Sequence, residues 1–130
     1  MAEKFSLYKN PIDSFLNKYC DVISEPLYNI GITPNMITTM SLLFGLLSGY
    51  FLYYNNINYF IVLFILSYFC DILDGYMARK YNLTSSFGDY YDHITDIILF
   101  IVILFVLINR YNLLDYHIII ICSIIYFIVY

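Results

Sequence analysis

Two charge-free runs of twelve residues, Tyr59 to Cys70 and Ile97 to Ile108, flank a polar stretch from Asp71 to Asp96. Crossing a bilayer takes about 20 residues of helix. Each run therefore reaches spanning length only by taking in polar neighbours: Asp71 through Ala78 for the first, Phe87 through Asp96 for the second. Both helices must carry their carboxylates inside the membrane. The chain is 62% hydrophobic and 12% charged, too little polar surface for a soluble domain of 130 residues. No strand-like alternation occurs, so the backbone must satisfy itself within helices. The fold class predicted is all-α, a polytopic transmembrane helical bundle of about four spans preceded by an interfacial amphipathic helix.

Residues 1–32 form the predicted N-terminal cytoplasmic segment. Residues 1–9 are polar and contain no apolar stretch that would make a cleavable leader. Asn10 and Pro11 signal a helix start. Ile12, Phe15, Leu16, Tyr19, Val22 and Ile23 then make one stripe, with Asp13, Asn17, Lys18 and Asp21 mostly opposite, which suits a helix lying on the membrane. Pro26 and Gly31 are expected to break it. Thr33-Pro34 starts the first span, about Asn35 to Tyr54, whose Gly45 and Gly49 permit close helix packing. Asn55, Asn56 and Asn58 mark a turn, and the second span begins near Ile57. The third covers Phe87 to Ile108, and a fourth starts near Tyr116 and stops at Tyr130.

Lys4, Lys9 and Lys18 precede the first span, and Arg79 and Lys80 lie between the second and third, whereas Arg110 falls on the other side. The positive-inside rule then puts the N-terminus and the mouth at Asp71–Asp96 in the cytoplasm. Asn82-Leu83-Thr84, formally a glycosylation sequon, is on that side a false positive. The net charge of −4 is concentrated at one site, since five of the ten acids lie between Asp71 and Asp96, and this argues against nucleic acid as a partner. Cys20, Cys70 and Cys122 are odd in number and sit in or beside apolar stretches, so they read as packing. The sixteen Tyr and eleven Phe reflect a compositional bias and suit membrane interfaces.

At about 100° per residue, Asp71, Asp74, Gly75 and Ala78 share one helix face with Arg79 at its edge. Asp92 and Asp96 share a face of the next helix, with Gly88 one turn earlier. Joined by a short loop, the two helices converge four carboxylates on one point, an all-oxygen site for a hard cation. Each ionised acid would cost about 3 kcal/mol at membrane depth if unpaired. Pairing with Arg79 and Lys80 accounts for at most two.

The pattern D-x-x-D-G-x-x-A-R-x8-G-x3-D-x3-D stands complete as Asp71, Asp74, Gly75, Ala78, Arg79, Gly88, Asp92 and Asp96. It resembles the CDP-alcohol phosphatidyltransferase family of integral-membrane phospholipid synthases. That resemblance implies metal-dependent transfer of a phospho-alcohol group from a CDP-alcohol to an acceptor alcohol, with release of CMP. It implies that residues 33–130 are the transmembrane transferase domain, C-terminally incomplete because family members have six spans. Asp71, Asp74 and Asp92 would bind two divalent cations, Mg2+ or Mn2+; Asp96 would touch one and act as general base. Gly75, Ala78, Arg79, Ser85, Gly88 and Asn35 would contact the CDP moiety, although Ser85 or Ser86 is equally a helix N-cap. The partners implied are the CDP-alcohol donor, an alcohol or lipid acceptor, membrane lipids and a second copy in a homodimer. His93, directly after Asp92, resembles the Asp-His pair of the choline and ethanolamine phosphotransferase branch and weakly favours such a donor, with CDP-diacylglycerol the other branch; a lone His is more often a hydrogen-bond partner behind the ligands than a ligand itself. Asp89 reads as a solvated loop charge.

Two readings of other kinds compete. An ion or proton carrier also buries carboxylates, but has no use for Gly75, Ala78, Arg79 and Gly88 at these places. A truncated, inactive relative would serve only as a packing or assembly partner for other membrane proteins.

Overall fold

A computed structural model describes residues 11–111, with side chains from residue 18 to 110. Four helices occupy nearly all of it: α1 Pro11–Asn29, α2 Pro34–Tyr53, α3 Ile57–Lys80 and α4 Ser86–Tyr111. There is no strand among the described residues. Helices α2, α3 and α4 are each long and apolar enough to cross a membrane. The expected fourth span falls outside the described residues, as do residues 1–10.

The three connections share one chemistry. Gly31, Asn55 and Asn82 have φ of 85°, 62° and 55°, the left-handed conformation that glycine and asparagine adopt most readily. Each sits just past a helix end. The amide after it reaches back to the third-last helical turn position: Ile32 to Leu27 O at 3.0 Å, Asn56 to Phe51 O at 2.8 Å, Leu83 to Ala78 O at 2.8 Å. These are Schellman caps, which satisfy carbonyls that a helix end leaves open. Asn82 of the formal sequon is such a capping residue. At the other ends, Pro34 occupies the first turn of α2 behind an extended Thr33. Ser85 caps α4, its Oγ accepting from the Gly88 amide at 3.0 Å.

One expected break does not occur. Pro26 lies inside α1, which runs on to Asn29 and is capped at Gly31. Proline removes one amide and strains the turn before it. Attachments on both sides hold the helix across that defect: Cys20 and Leu27 pack with Leu73 and Met77, and Tyr28 stacks on Tyr81 at 4.0 Å. Asp89 also differs from expectation; it is exposed as predicted, but in the first turn of α4 and not in a loop. An acid suits that end of a helix dipole.

Helix α2 packs against both α3 and α4, and α1 packs against α3. The α2–α3 interface is polar at its centre, where Ser41 and Ser67 each donate to the other's carbonyl at 2.8 Å. Small residues bring α4 in. A Cβ on Gly45 would collide with both Leu99 methyls, and one on Gly49 would lie 3.0 Å from Val102 Cγ1. The close packing expected of this glycine pair is therefore directed at α4. Outward-facing positions are apolar, including Leu43 and Leu47 on α2 and Ile97, Ile101 and Phe105 on α4.

Candidate functional site

The ends of α2, α3 and α4 that bear Asn35, Asp71–Arg79 and Ser85–Asp96 converge on one mouth. Asp71 and Asp74 project from α3, and Asp92 projects from α4. Each offers a carboxylate oxygen, and the three oxygens lie within 4.8 Å of one another. Asp74 is buried, and its Oδ2 accepts a hydrogen bond from the Thr38 hydroxyl of α2. Asp92 Oδ1 is buried with no hydrogen-bond partner among the described residues. Asp96, one turn further along α4, is not among the three. It is half-buried.

A divalent cation fits this cluster. Ligands held at about 2.0–2.6 Å on one ion stand no more than about 4–5 Å apart, the span found here. The set is all oxygen, which suits Mg2+, Mn2+ or Ca2+. The buried Asp92 oxygen, unpaired among the described residues, offers a coordination point. Three carboxylates in a membrane-spanning bundle repel one another, and a cation among them removes that repulsion.

Pairing with Arg79 and Lys80 does not neutralise the acids. Lys80 turns away to α1, with Nζ 2.6 Å from Asp21 Oδ1 and 3.1 Å from Ser24 Oγ. The Tyr76 hydroxyl donates to the same Asp21 oxygen at 2.9 Å. These two donors, Lys80 first, hold the Asp21 carboxyl below the usual range. Among the described residues no ion pair reaches Asp71, Asp74, Asp92 or Asp96. Arg79 is exposed and folds back over Gly75, where a Cβ would sit 3.2 Å from its Nη1. Glycine thus leaves room for the guanidinium at the rim.

The second group of expected residues also meets. A Cβ on Gly88 would lie 3.2 Å from both Asn35 Oδ1 and Ser85 Oγ, so α2 and α4 approach closely there. Ala78 lies on α3 one turn beyond Asp74, partly buried, its carbonyl closing the α3 cap. His93 is exposed and stands outside the carboxylate trio. Inspection of the sequence missed Thr38, and it missed the hydrogen bond between Thr39 Oγ1 and Tyr91 OH at 3.0 Å that links α2 to α4. The available signal was a run of polar residues, Asn35, Thr38, Thr39 and Ser41, at one end of an otherwise apolar span.

The family described as CDP-alcohol phosphatidyltransferase matches the chain over residues 31–130. An uncharacterized protein of Aquifex aeolicus is 34% identical over 85 residues, 62% of this chain and 43% of that protein. The archaetidylinositol phosphate synthase of Pyrococcus horikoshii is 35% identical over 74 residues, 57% of this chain and 39% of the synthase. The CDP-diacylglycerol--glycerol-3-phosphate 3-phosphatidyltransferase of Rickettsia felis is 43% identical over 51 residues, 39% of this chain and 28% of that enzyme. The chain thus spans less than half the length of these relatives. No solved structure matches it significantly.

Proposed function

The chain belongs to the CDP-alcohol phosphatidyltransferase family, and from that premise we propose that it makes phospholipids by transferring a phospho-alcohol group from a CDP-alcohol to an acceptor hydroxyl. The observation that carries this reading is the meeting of Asp71, Asp74 and Asp92 within 4.8 Å beside Arg79. Asp71, Asp74 and Asp92 would hold Mg2+ or Mn2+, two ions in all, with Asp96 touching one. Bound there, the metal supplies positive charge against the pyrophosphate and the departing CMP.

The remaining chemistry belongs to side chains. The acceptor oxygen forms a new P–O bond at the phosphorus bearing the donor alcohol, and the bond from that phosphorus to CMP breaks. The acceptor proton must leave as attack proceeds, and a carboxylate within hydrogen-bond reach takes it. Asp96 is proposed for this task. It stands apart from the tight trio, one turn beyond Asp92, and lies deeper along α4. Arg79, held at the rim over Gly75, would pair with a phosphate of the donor through its planar fork. Asn35, Ser85, Gly88 and Ala78 would line the nucleotide's path, Gly88 because any side chain would close the gap to Asn35.

The names of the relatives favour one branch. The Rickettsia enzyme and the inositol 3-phosphatidyltransferases of Arabidopsis thaliana are named for CDP-diacylglycerol. The proposed donor is therefore a CDP-diacylglycerol-like lipid, with a small polyol or its phosphate as acceptor. This replaces the choline-type donor that His93 suggested. The mouth would face the cytoplasm, where Lys18, Arg79 and Lys80 lie, and the protein would assemble as a homodimer.

The test reconstitutes the full chain in vesicles with radiolabelled CDP-diacylglycerol, Mg2+ or Mn2+, and glycerol 3-phosphate, inositol or inositol phosphate in turn. Metal-dependent CMP release with one acceptor is expected. No release with any acceptor or with CDP-choline, from protein that binds Mn2+, would overturn the transferase reading in favour of an inactive packing partner.

A further inference from the structure

Of the carboxylate trio, Asp74 is the member that a side chain from another helix grips. Thr38 lies in the second turn of α2, 4% exposed, and Asp74 is 5% exposed on α3. Their hydrogen bond crosses the α2–α3 interface. The same hydroxyl stands 3.2 Å from Pro34 O, and of the two acceptors the carboxylate oxygen is the nearer. An aspartate side chain turns about two bonds, and the second has broad wells. Asp71 and Asp92 both repel Asp74, and repulsion alone would swing it out of the cluster. A neutral donor on Oδ2 opposes that swing without adding charge.

We propose that Thr38 is a positioning residue: its hydroxyl holds Asp74 in the carboxylate cluster, in the orientation that takes a divalent cation. The inference rests on the metal-site reading above and adds to it a residue outside the family's signature pattern. Partners that orient a metal ligand in this way change metal affinity by about 10–100-fold when removed. Thr38→Val keeps the shape and deletes the donor, leaving Asp74 Oδ2 buried and unpaired. Thr38→Ser keeps the donor and loses only a methyl group.

The probe is Mn2+ itself, its free concentration read by electron paramagnetic resonance against the purified full chain in bilayer discs. Thr38→Val is expected to weaken Mn2+ binding about 10–100-fold. Thr38→Ser should restore near-normal affinity, and Thr39→Val, which removes the neighbouring exposed α2–α4 bond beside Asp92, should weaken binding far less than Thr38→Val does. Circular dichroism monitors folding. Should the valine chain fail to fold, Thr38→Cys, with a much weaker donor of similar volume, must give an intermediate loss. Full Mn2+ affinity in the folded valine or the cysteine chain would overturn the proposal while leaving the metal site standing. Equal losses in Thr38→Val and Thr39→Val would overturn it as well, since general loosening of α2 would then explain both. Failure of the unaltered chain to bind Mn2+ would remove the metal reading and this inference together.

Discussion

Gly45→Ala should open the bundle where Gly49→Ala should not. A Cβ at position 45 would stand 2.7 Å from Leu99 Cδ1, closer still to Cδ2, and 3.0 Å from Ser67 Oγ. Leu99 can turn away only by leaving its rotamer or moving α4. Ser67 is tied at 2.8 Å to Ser41 O. With two neighbours struck, the cost falls in the upper part of the about 1–3 kcal/mol range for overpacking. Alanine returns about 0.8–1 kcal/mol of helix propensity over glycine. The net loss is about 1–2 kcal/mol, which lowers the folded-to-unfolded ratio roughly 5–30-fold. At Gly49 the new carbon meets Val102 Cγ1 at 3.0 Å and Ile103 Cδ1 at 3.6 Å, ends of side chains that need shift by only tenths of an ångström. There the propensity gain cancels the strain, and the net change is about zero. Reversible unfolding in mixed micelles of increasing SDS content, followed by circular dichroism, measures both. Because α4 carries Asp92, the Gly45 variant should also bind Mn2+ more weakly. Equal stability of the two variants would refute the packing described for α2 and α4.

Three further outcomes follow from other parts of the molecule. Asp96→Asn should lower CMP release by about 10²–10⁴-fold, the range for a lost general base, with a much smaller effect on Mn2+ binding, whereas Asp71→Asn should weaken both; near-normal turnover in the Asp96 variant would end its assignment as base. The Asp21 carboxyl is held below its usual range by Lys80 and Tyr76, so its contribution to docking α1 is complete above the ordinary Asp value of about 3.9 and is lost as pH falls through the lowered one. Amide hydrogen exchange over residues 18–29 should therefore quicken on strong acidification, and at neutral pH in Asp21→Asn, with α2 to α4 unaffected. Gly31→Ala places a side chain at φ 85° with open space around it; the left-handed conformation alone should cost about 1–2 kcal/mol, Gly31→Asn should cost less, and equal melting of the two variants would contradict the capping role.

The spans were legible because their signals are local. Thr33-Pro34 places the start of α2, apolar run length places α3 and α4, and the expected starts near Ile57 and Phe87 lie within a residue of those observed. The convergence of Asp71, Asp74 and Asp92 was legible for the same reason, since helix period fixes each face and a five-residue connection, 81–85, turns α3 back into α4. What escaped depends on partners far apart in the chain. Thr38 meets Asp74 across 36 positions and Lys80 meets Asp21 across 59, and no periodicity in either helix announces such a pair. Pro26 misled because its local effect is real, while the docking on α3 that overrides it involves residues more than forty positions away. Lys80 looked like a companion to Arg79 at the mouth, yet the two adjacent side chains leave the helix about 100° apart and serve different neighbours.

The order in which the chain is made gives the Thr38–Asp74 bond another importance. Helices α2 and α3 emerge from the ribosome ahead of α4 and can pair through Ser41 and Ser67 before it exists. At about 5–20 residues per second, the thirty-odd residues that complete α4 arrive only seconds later. Early in that interval Asp71 and Asp74 stand in a two-helix hairpin without Asp92, and until α4 docks there is no finished cation site. Thr38 belongs to the earlier helix, so Asp74 has its donor from the moment the hairpin closes. The newborn hairpin thus protects one of its two intramembrane acids by itself, and Asp71 is the one left to wait.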